Sequence, residues 1–224
     1  MPTERHSPPR VAPAALAEMI DPARSALLVV DVQEDFASPT GAMARMGADL
    51  SGVNAVVGRI AELIEAARGA GATVAFTQVM TSAATDSKAL KLLNARRGRS
   101  PDALEICRQG ERGSAYHRVS PRPGEIQATK RLFNAFHGTR LDEDLRERGV
   151  GTLVVAGLTT NCCVDATCRD AFHRDFNVLV VSDATDAYGG ETQTNALVAL
   201  SENCALITDT AAVLATWNPR PRGS

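Results

Sequence analysis

The chain has 224 residues, of which 44% are hydrophobic and 22% charged, with a formal net charge of -2 at pH 7. This length and composition can bury a full hydrophobic core, which predicts one α/β domain. The charge is close to neutral and forms no basic run, which argues against nucleic acid as a partner. No apolar stretch approaches membrane-spanning length, and the first residues lack the apolar core of a signal peptide. We therefore expect a cytoplasmic protein that binds neither nucleic acid nor a membrane.

The cysteines number five, an odd set in a chain too long to need disulfide staples, which predicts free thiols. They lack the paired spacing and the neighbouring histidines of a zinc site, so we expect no bound metal ion and no cofactor. Lysine is rare: Lys88, Lys91 and Lys130 are the three lysines among 24 basic residues. Because lysine is rare in this chain, a lysine at the end of a predicted strand is a candidate functional residue.

The two ends of the chain differ in composition from its centre. Residues 1–24 are polar and rich in proline, which predicts a flexible N-terminal arm apart from an apolar patch near Leu16. A single folded domain is predicted over residues 25–217. Residues 218–224 are predicted to form a disordered tail.

The domain begins with a βαβ unit. A strand is predicted over residues 26–33, apolar on both faces until Asp31, as in a buried parallel sheet. Apolar residues then recur at helical spacing over residues 52–71, and a second strand covers residues 73–78. Ligands bind at the carboxyl ends of parallel strands, so Asp31 lies where chemistry is expected. A turn or helix-capping role is the simpler interpretation of this aspartate taken alone.

Residues 79–123 interrupt the alternation of strands and helices. Apart from a short helix predicted at 87–95, this segment contains charged residues, glycine and proline without periodicity. Long loops inside compact domains are usually functional. We therefore predict a loop-rich insertion that covers the site or forms a subunit contact.

Strands and helices alternate again after this insertion. Strands are predicted at residues 125–130, 153–156, 177–182 and 204–208, and helices at residues 139–148, 162–175, 191–203 and 210–216. With the first two strands, this pattern predicts six strands in one doubly wound, Rossmann-like domain.

The second of these helices begins with two adjacent cysteines, Cys162 and Cys163. A thiol in a first helical turn is close to unpaired backbone N–H groups and to the positive end of the helix dipole, which lower its pKa. The same N–H groups can hold an oxyanion. Cys168 lies beyond the reach of this effect. Taken alone, all three cysteines are also consistent with small buried hydrophobic residues.

Three residues suited to catalysis follow three different strands: Asp31, Lys130 and Cys163. The carboxyl ends of parallel strands share one edge of a sheet, so these side chains are predicted to meet. A thiolate nucleophile needs a base to accept its proton and a cation to stabilise charge. A desolvated lysine can also lose a proton, which makes Lys130 a candidate for proton transfer. The combination favours a catalytic triad over three unrelated residues.

Three segments resemble the signature sequences of the isochorismatase-like cysteine hydrolases. They are residues 31–36 (DVQEDF), 129–139 (TKRLFNAFHGT) and 157–164 (GLTTNCCV). The resemblance extends over residues 26–217, nearly the whole chain, and the segments occur in the family's order. It implies a three-layer α/β/α sandwich built on a six-stranded parallel sheet.

The resemblance also implies residue roles. The triad would be Asp31, Lys130 and Cys163. It selects Cys163 because the family's nucleophile stands three residues after a threonine and directly before a valine. A cis peptide bond between Leu158 and Thr159 is implied, with an oxyanion hole formed by the backbone N–H groups of Thr159 and Cys163. The family commonly forms dimers or tetramers, so a homodimer or homotetramer is expected.

Substrate contacts are less strongly indicated by the sequence. Candidates are polar and aromatic residues on the predicted strand-end loops, each equally consistent with packing. They are Phe36, Gln78, Phe136, Asn161 and Tyr188.

Departures from the family's patterns narrow the predicted activity. The nicotinamidase branch carries an Asp-x-His metal motif after the second strand, whereas residues 77–84 (TQVMTSAA) contain no histidine. This argues against a bound metal and against nicotinamide. A thiol at the nucleophile position favours acyl transfer over the vinyl ether cleavage of isochorismatases proper. Residues 47–50, 86–90 and 133–136 resemble the ureidoacrylate and N-carbamoyl amidohydrolase branch.

The predicted function is that of a cysteine-dependent hydrolase that cleaves a C–N bond of a small amide, ureido or carbamoyl substrate through a thioester. Two alternatives remain. In one, a hydrolase of the same fold acts on an ether or on a nitrile-like carbon; ammonia release across substrate classes separates these cases. In the other, the protein binds a small metabolite without turnover, and the presence of all three triad residues argues against it.

Overall fold

Six strands form one sheet in the structure, a computed structural model that describes residues 8–100 and 105–218. They are β1 (Ser25–Val30), β2 (Thr73–Val79), β3 (Ile126–Lys130), β4 (Thr152–Leu158), β5 (Asn177–Asp186) and β6 (Leu206–Thr208). The strand order is β3-β2-β1-β4-β5-β6, and every neighbouring pair is parallel. The chain therefore starts near the middle of the sheet and winds outward on both sides.

Helices connect the strands and cover both faces of the sheet. Within the described ranges they are α1 (Pro13–Met19), α2 (Glu34–Ala37), α3 (Ala42–Arg45), α4 (Val53–Ala70), α5 (Lys88–Arg96), α6 (Leu141–Glu147), α7 (Asp165–His173), α8 (Gly190–Asn203) and α9 (Thr210–Trp217). A π-helical turn (Thr160–Val164) precedes α7, and 3-10 turns occur at Pro22–Arg24 and Arg112–Ser114.

The hydrophobic core divides into two clusters, one on each face of the sheet. Leu27 and Val29 of β1 belong to one cluster, and Leu28 and Val30 belong to the other. Helices α1, α4 and α9 pack in the first cluster, and α6, α7 and α8 pack in the second. Both faces of the central strands are buried, which explains their continuous apolar sequences. The predicted three-layer α/β/α sandwich is confirmed.

Local sequence signals locate most element ends within a few residues of the prediction. Helix α4 ends at Gly71, whose left-handed conformation (φ 80°) lets its N–H bond the carbonyl groups of Ala67 and Arg68. The hydroxyl group of Ser87 accepts from the N–H of Leu90 and caps α5.

Two elements differ from the prediction. Strand β5 continues to Asp186, beyond the predicted end at residue 182, because the register shifts between Val155 and Gly157 and pairing then resumes. The polar residues of this extension had indicated a loop. The helix predicted from residue 162 begins instead as the π-helical turn at Thr160–Val164.

The structure corrects the predicted N-terminal arm. Leu16 and Ile20 are fully buried, and the indole N–H of Trp217 donates to the carbonyl oxygen of Ile20 at 2.9 Å. The chain from α1 onward is therefore part of the folded unit, because its apolar residues complete one core cluster. Residues 1–7 of the predicted arm and 219–224 of the predicted tail lie outside the described residues.

The insertion is attached to the segment that follows β1. Gln33, fully buried, donates to the carbonyl oxygens of Val79 and Ser114, each at 2.8 Å, and accepts from the N–H of Val79 at 2.7 Å. The carboxylate of Asp35 accepts from the N–H of Cys107 at 2.7 Å. These bonds hold the described part of the insertion next to the carboxyl ends of β1 and β2.

Leu16→Ala tests whether α1 belongs to the core. We expect the free energy of unfolding to fall by about 2–4 kcal/mol, because the substitution opens a cavity in a fully buried cluster. Urea denaturation measures the change, with Glu18→Ala on the exposed side of the same helix as the control. A Leu16→Ala protein as stable as the control would restore the flexible-arm interpretation.

Candidate active site

The predicted catalytic residues lie at the carboxyl-terminal edge of the sheet, where ligands bind in open α/β folds. Asp31 directly follows β1, Lys130 ends β3, and Cys163 lies in the π-helical turn after β4. Strands β1 and β4 are neighbours, and the strands that follow them in sequence, β2 and β5, lie on opposite sides. Asp31 and Cys163 therefore flank the point at which a crevice opens in a doubly wound sheet.

Lys130 and Asp31 form an ion pair in the protein interior. The Nζ atom lies 2.6 Å from Oδ2, and both side chains are 0% exposed. The ammonium group also donates to the carbonyl oxygens of Leu132 at 2.9 Å and Phe133 at 2.8 Å. All three ammonium protons thus have acceptors, as a buried charge requires.

The other oxygen of the Asp31 carboxylate is held by Thr77. The Thr77 hydroxyl group, fully buried on β2, donates to Oδ1 of Asp31 at 2.7 Å. In the sheet, Thr77 pairs with Val30 on β1 and with Ala128 on β3. Three adjacent strands therefore fix the orientation of one carboxylate.

The charge of Lys130 corrects one prediction. Burial by itself lowers the pKa of the ammonium group, but the charge of Asp31 and the interactions with the side chains of Asp31 and Cys163 outweigh it and hold the pKa of Lys130 above its ordinary value. Lys130 is therefore a fixed cation at neutral pH. Its predicted part in proton transfer is not supported, and Asp31 is the group placed to accept a proton.

The predicted nucleophile, Cys163, is 5% exposed. Hydrogen bonding with Cys162, burial and the charge of Asp31 raise the pKa of the Cys163 thiol, and Lys130 opposes them with a smaller effect. The prediction that the helix start lowers this pKa is wrong for Cys163. Because the thiol is protonated at neutral pH, it needs a base before it can attack a carbonyl carbon.

Cys162 is the competing thiol at this site. It is half-buried, and a hydrogen bond with Cys163 lowers its pKa against the opposing effect of burial, with a further contribution from Lys130. Both thiols therefore interact with the charged pair. The position in the family's sequence pattern favours Cys163.

Among the described residues, the backbone that precedes the two cysteines contains an N–H group without a backbone acceptor. The Leu158–Thr159 peptide bond is cis, which confirms the implication of the resemblance. The Thr159 carbonyl oxygen accepts from the N–H groups of Cys162 and Val164, each at 3.1 Å. In the described part of the chain, the N–H of Thr159 donates to no backbone oxygen. This arrangement is consistent with the predicted oxyanion hole, which stays a prediction.

A cavity of about 930 Å³ lies beside these residues, at the carboxyl ends of β2 and β3. We call it the β3 cavity. Its wall includes Lys130, Leu132, Phe133 and Ala166. Leu132 and Phe133 are the residues whose carbonyl groups accept from Lys130, so the cavity and the ion pair share this loop. A volume in this range suits a small organic ligand.

The aromatic residues predicted to contact substrate do not line the β3 cavity. Phe36 and Phe136 are buried in the two hydrophobic clusters, and Phe136 stacks on Phe176 with 5.9 Å between ring centroids. Packing accounts for the burial of both, and their predicted contact with substrate stays a prediction. Tyr188 donates its hydroxyl group to the carbonyl oxygen of Phe36 at 2.7 Å.

The two polar candidates for substrate contact have different surroundings. Gln78 donates from Nε2 to the Thr129 hydroxyl group at 2.9 Å, and Thr129 lines the β3 cavity. Asn161 is exposed at the start of the π-helical turn. The roles of Gln78, Asn161 and Tyr188 in binding stay predictions.

Sequence reasoning missed the side chains that surround Asp31. Thr77 could have been noticed because it is a threonine within an apolar strand. Gln33 lies in the segment of residues 31–36 that resembles the family, but the sequence indicated no role for it. Tyr116, from the insertion, has a buried hydroxyl group without a hydrogen-bond partner among the described residues. Burial and the charge of Asp31 raise the pKa of Tyr116. Its position near Asp31 depends on how the insertion folds back.

Within residues 8–100 and 105–218, no cluster of three or more His, Cys, Asp or Glu side chains is arranged to hold a metal ion. Nor does any helix there combine the length and the hydrophobicity that crossing a bilayer requires.

The parallel sheet, its two helical layers and the cysteine-bearing turn define the class: an α/β protein with the isochorismatase-like hydrolase fold. A solved structure of a cysteine hydrolase from Pseudomonas syringae pv. phaseolicola 1448A superposes with a TM-score of 0.77 and 27% sequence identity. The alignment covers 89% of this chain and 94% of that chain.

Sequence comparison leads to the same group. A ureidoacrylate amidohydrolase RutB from Methylobacterium radiotolerans is 39% identical over 206 residues, 86% of this chain and 77% of the relative. A second, from Variovorax paradoxus, is 35% identical over 80% of this chain and 79% of its own length. Residues 25–212 match the family described as Isochorismatase domain, and the chain belongs to this family.

Thr77→Val tests whether the Thr77 hydroxyl group positions Asp31. The substitution keeps the shape and removes a hydrogen bond to a buried carboxylate, so we expect kcat to fall about 10-fold with little change in KM. Steady-state kinetics measures both, and Thr77→Ser, which keeps the hydroxyl group, is expected to restore kcat. A Thr77→Val enzyme with unchanged kcat would contradict the positioning role.

Proposed function

We propose that the protein is a cysteine-dependent amidohydrolase that cleaves a C–N bond of a small amide or ureido substrate through a thioester. The observation that carries the proposal is the fully buried Lys130–Asp31 pair, 2.6 Å apart, next to a buried thiol. The relatives named ureidoacrylate amidohydrolase support a ureido substrate.

Burying this ion pair costs free energy, and a function of the pair would explain why the cost is tolerated. Taking a carboxylate and an ammonium group out of water costs several kcal/mol for each ion, and replacing such a pair by apolar residues often stabilises a protein. Perturbed, desolvated charges of this kind are concentrated at functional sites. The pair adjoins a thiol that must lose a proton to react, and this juxtaposition supports a catalytic use.

Acylation begins with proton transfer. Asp31 accepts the proton of the Cys163 thiol, and the fixed charge of Lys130 stabilises the thiolate. The sulfur attacks the substrate carbonyl carbon, and the resulting oxyanion accepts hydrogen bonds from the N–H groups of Thr159 and Cys163. When the C–N bond breaks, Asp31 returns the proton to the departing nitrogen. The leaving group is ammonia or an amine, and the acyl group remains on sulfur.

Deacylation repeats these steps with water as the nucleophile. Asp31 takes a proton from water, whose oxygen attacks the thioester carbonyl carbon, and the same N–H groups hold the oxyanion. The C–S bond then breaks, and the sulfur regains a proton from Asp31. The acyl group leaves as a carboxylic or carbamic acid, and the enzyme returns to its starting protonation state.

Cys163→Ala tests the proposal, with Cys162→Ala as the matched control on the adjacent residue. We expect Cys163→Ala to lower ammonia release from ureido acids and small amides by at least about 1,000-fold, because it removes the nucleophile. Cys162→Ala is expected to stay within about 10-fold of the wild type. Circular dichroism checks that both variants fold.

The same assay separates the alternatives. Activity that persists with a metal chelator present supports a metal-free reaction. An active Cys163→Ala enzyme contradicts the proposed nucleophile, and loss confined to Cys162→Ala transfers that role to the neighbouring thiol. Failure of the folded wild type to release ammonia from any amide or ureido compound contradicts the amidohydrolase function and favours an ether substrate or a binding role.

A further inference from the structure

Cys162 is a thiol that the proposed mechanism does not use. It directly precedes the proposed nucleophile, Cys163, in the π-helical turn Thr160–Val164. Cys162 is half-buried, whereas Cys163 is 5% exposed. The more accessible of the two sulfur atoms is therefore the one without a role in hydrolysis.

The other three cysteines are less exposed than Cys162. Cys107 and Cys168 are fully buried, and Cys204 is 8% exposed. Burial and the charge of Cys204 raise the pKa of Cys168, whereas the thiols of Cys162 and Cys163 interact with each other. Cys162 is thus the thiol placed to react with Cys163.

Cys162 has the surroundings of an oxidation-sensitive thiol. Its hydrogen bond with Cys163 lowers the pKa of Cys162 against the opposing effect of burial, and the charge of Lys130 lowers this pKa further. The thiolate is the form that reacts with peroxides. Thiols that act as redox sensors combine a low pKa with solvent access and a second thiol nearby. Cys162 has all three features.

The two cysteines lie outside the regular helix. Adjacent side chains of an α-helix diverge by about 100°, which keeps neighbouring sulfur atoms apart. Here α7 begins at Asp165, and in the preceding turn the carbonyl oxygen of Thr159 accepts from the N–H groups of both Cys162 and Val164. A rearrangement that brings the two sulfur atoms together therefore leaves the helix from Asp165 onward in place.

We propose that Cys162 and Cys163 form a reversible disulfide bond in the presence of a peroxide, and that this bond inactivates the enzyme. The loss of activity rests on the proposed function, because the bond occupies the sulfur of the nucleophile. Formation of the bond does not depend on that function.

The bond forms in two steps. The Cys162 thiolate attacks one oxygen of hydrogen peroxide, the O–O bond breaks, and with uptake of one proton the products are a sulfenic acid and water. The Cys163 thiol then loses its proton, and its sulfur attacks the sulfur of Cys162. The S–O bond breaks, and the hydroxyl group leaves with that proton as water. The two sulfur atoms are oxidised, the peroxide is reduced, and a dithiol restores both thiols by exchange.

The adjacency of the two residues makes this disulfide easy to reduce. The Cα atoms of neighbouring residues are about 3.8 Å apart, whereas disulfides usually join Cα atoms roughly 4.4 to 6.8 Å apart. A disulfide across the shorter distance is strained, and strained disulfides are the labile, regulatory ones. The bond also protects Cys163 from oxidation to the sulfinic acid, which is irreversible.

Mass spectrometry after peroxide treatment tests for the bond. Free thiols are alkylated after treatment, and cleavage before Asp144 and Asp165 releases a peptide that contains Cys162 and Cys163 without Cys168. We expect this peptide to lose two hydrogen atoms and to escape alkylation, and dithiothreitol to reverse both changes. This measurement needs no enzyme activity, so it separates failure of the disulfide from failure of the proposed function.

Cys162→Ala tests the protective role, with Cys204→Ala as the control that removes a less exposed thiol. The peroxide-inactivated wild type is expected to regain most of its ammonia-releasing activity in dithiothreitol. The fraction that Cys162→Ala regains of its own untreated activity is expected to be at least about 5-fold lower, because Cys163 proceeds to the sulfinic acid. Cys162→Ser is expected to behave as Cys162→Ala does, and Cys204→Ala as the wild type does.

Two results overturn the proposal. One is a peptide that keeps both hydrogen atoms at peroxide concentrations that oxidise the protein. The other is equal recovery of the wild type and Cys162→Ala, because the second thiol is then dispensable. A disulfide that forms in a wild-type protein without ammonia-releasing activity supports the redox pair and contradicts the amidohydrolase function alone.

Discussion

The buried ion pair between Lys130 and Asp31 is the interaction on which the site depends. Two ions without water are tolerated only when every donor and acceptor is matched. The match here comes from four places: β1 and β3 supply the ions, Thr77 of β2 holds the second carboxylate oxygen, and the loop after β3 supplies two carbonyl oxygens. The order β3-β2-β1 is what brings these groups together. A displaced strand would leave a charge unpaired.

The Lys130–Asp31 pair and the Cys163 thiol have different roles in the proposed reaction. Hydrogen bonding with Cys162, burial and the nearby carboxylate raise the pKa of the Cys163 thiol, so in the proposed mechanism the nucleophile forms when Asp31 takes its proton. In the same proposal, Lys130 keeps its charge throughout and stabilises each anionic state. The described part of the insertion is held beside this region, since Gln33 and Asp35 tie it to the segment that follows Asp31. The β3 cavity lies beside the pair, because Lys130 and the loop after β3 both belong to its wall.

The layout of the sheet and the meeting of Asp31 with Lys130 follow from local sequence signals. Continuous apolar runs mark strands buried on both faces, and a polar residue at the end of such a run lies at the ligand-binding edge. Other features depend on tertiary contacts. Burial of Leu16 requires α9 to be in place, and the bond from Thr77 requires the strand order. The raised pKa of Cys163 arises from its hydrogen bond with Cys162, from burial and from the charge of Asp31, and the last two depend on the tertiary fold.

The most direct test of this account is identification of the covalent intermediate. Rapid acid quenching during turnover of a ureido or amide substrate, followed by intact-protein and peptide mass spectrometry, locates any acyl group. We expect one acyl increment on the peptide that contains both cysteines, assigned by fragmentation to Cys163 and absent from Cys162. An acyl group on Cys162, or turnover without any acylated protein, would contradict this mechanism.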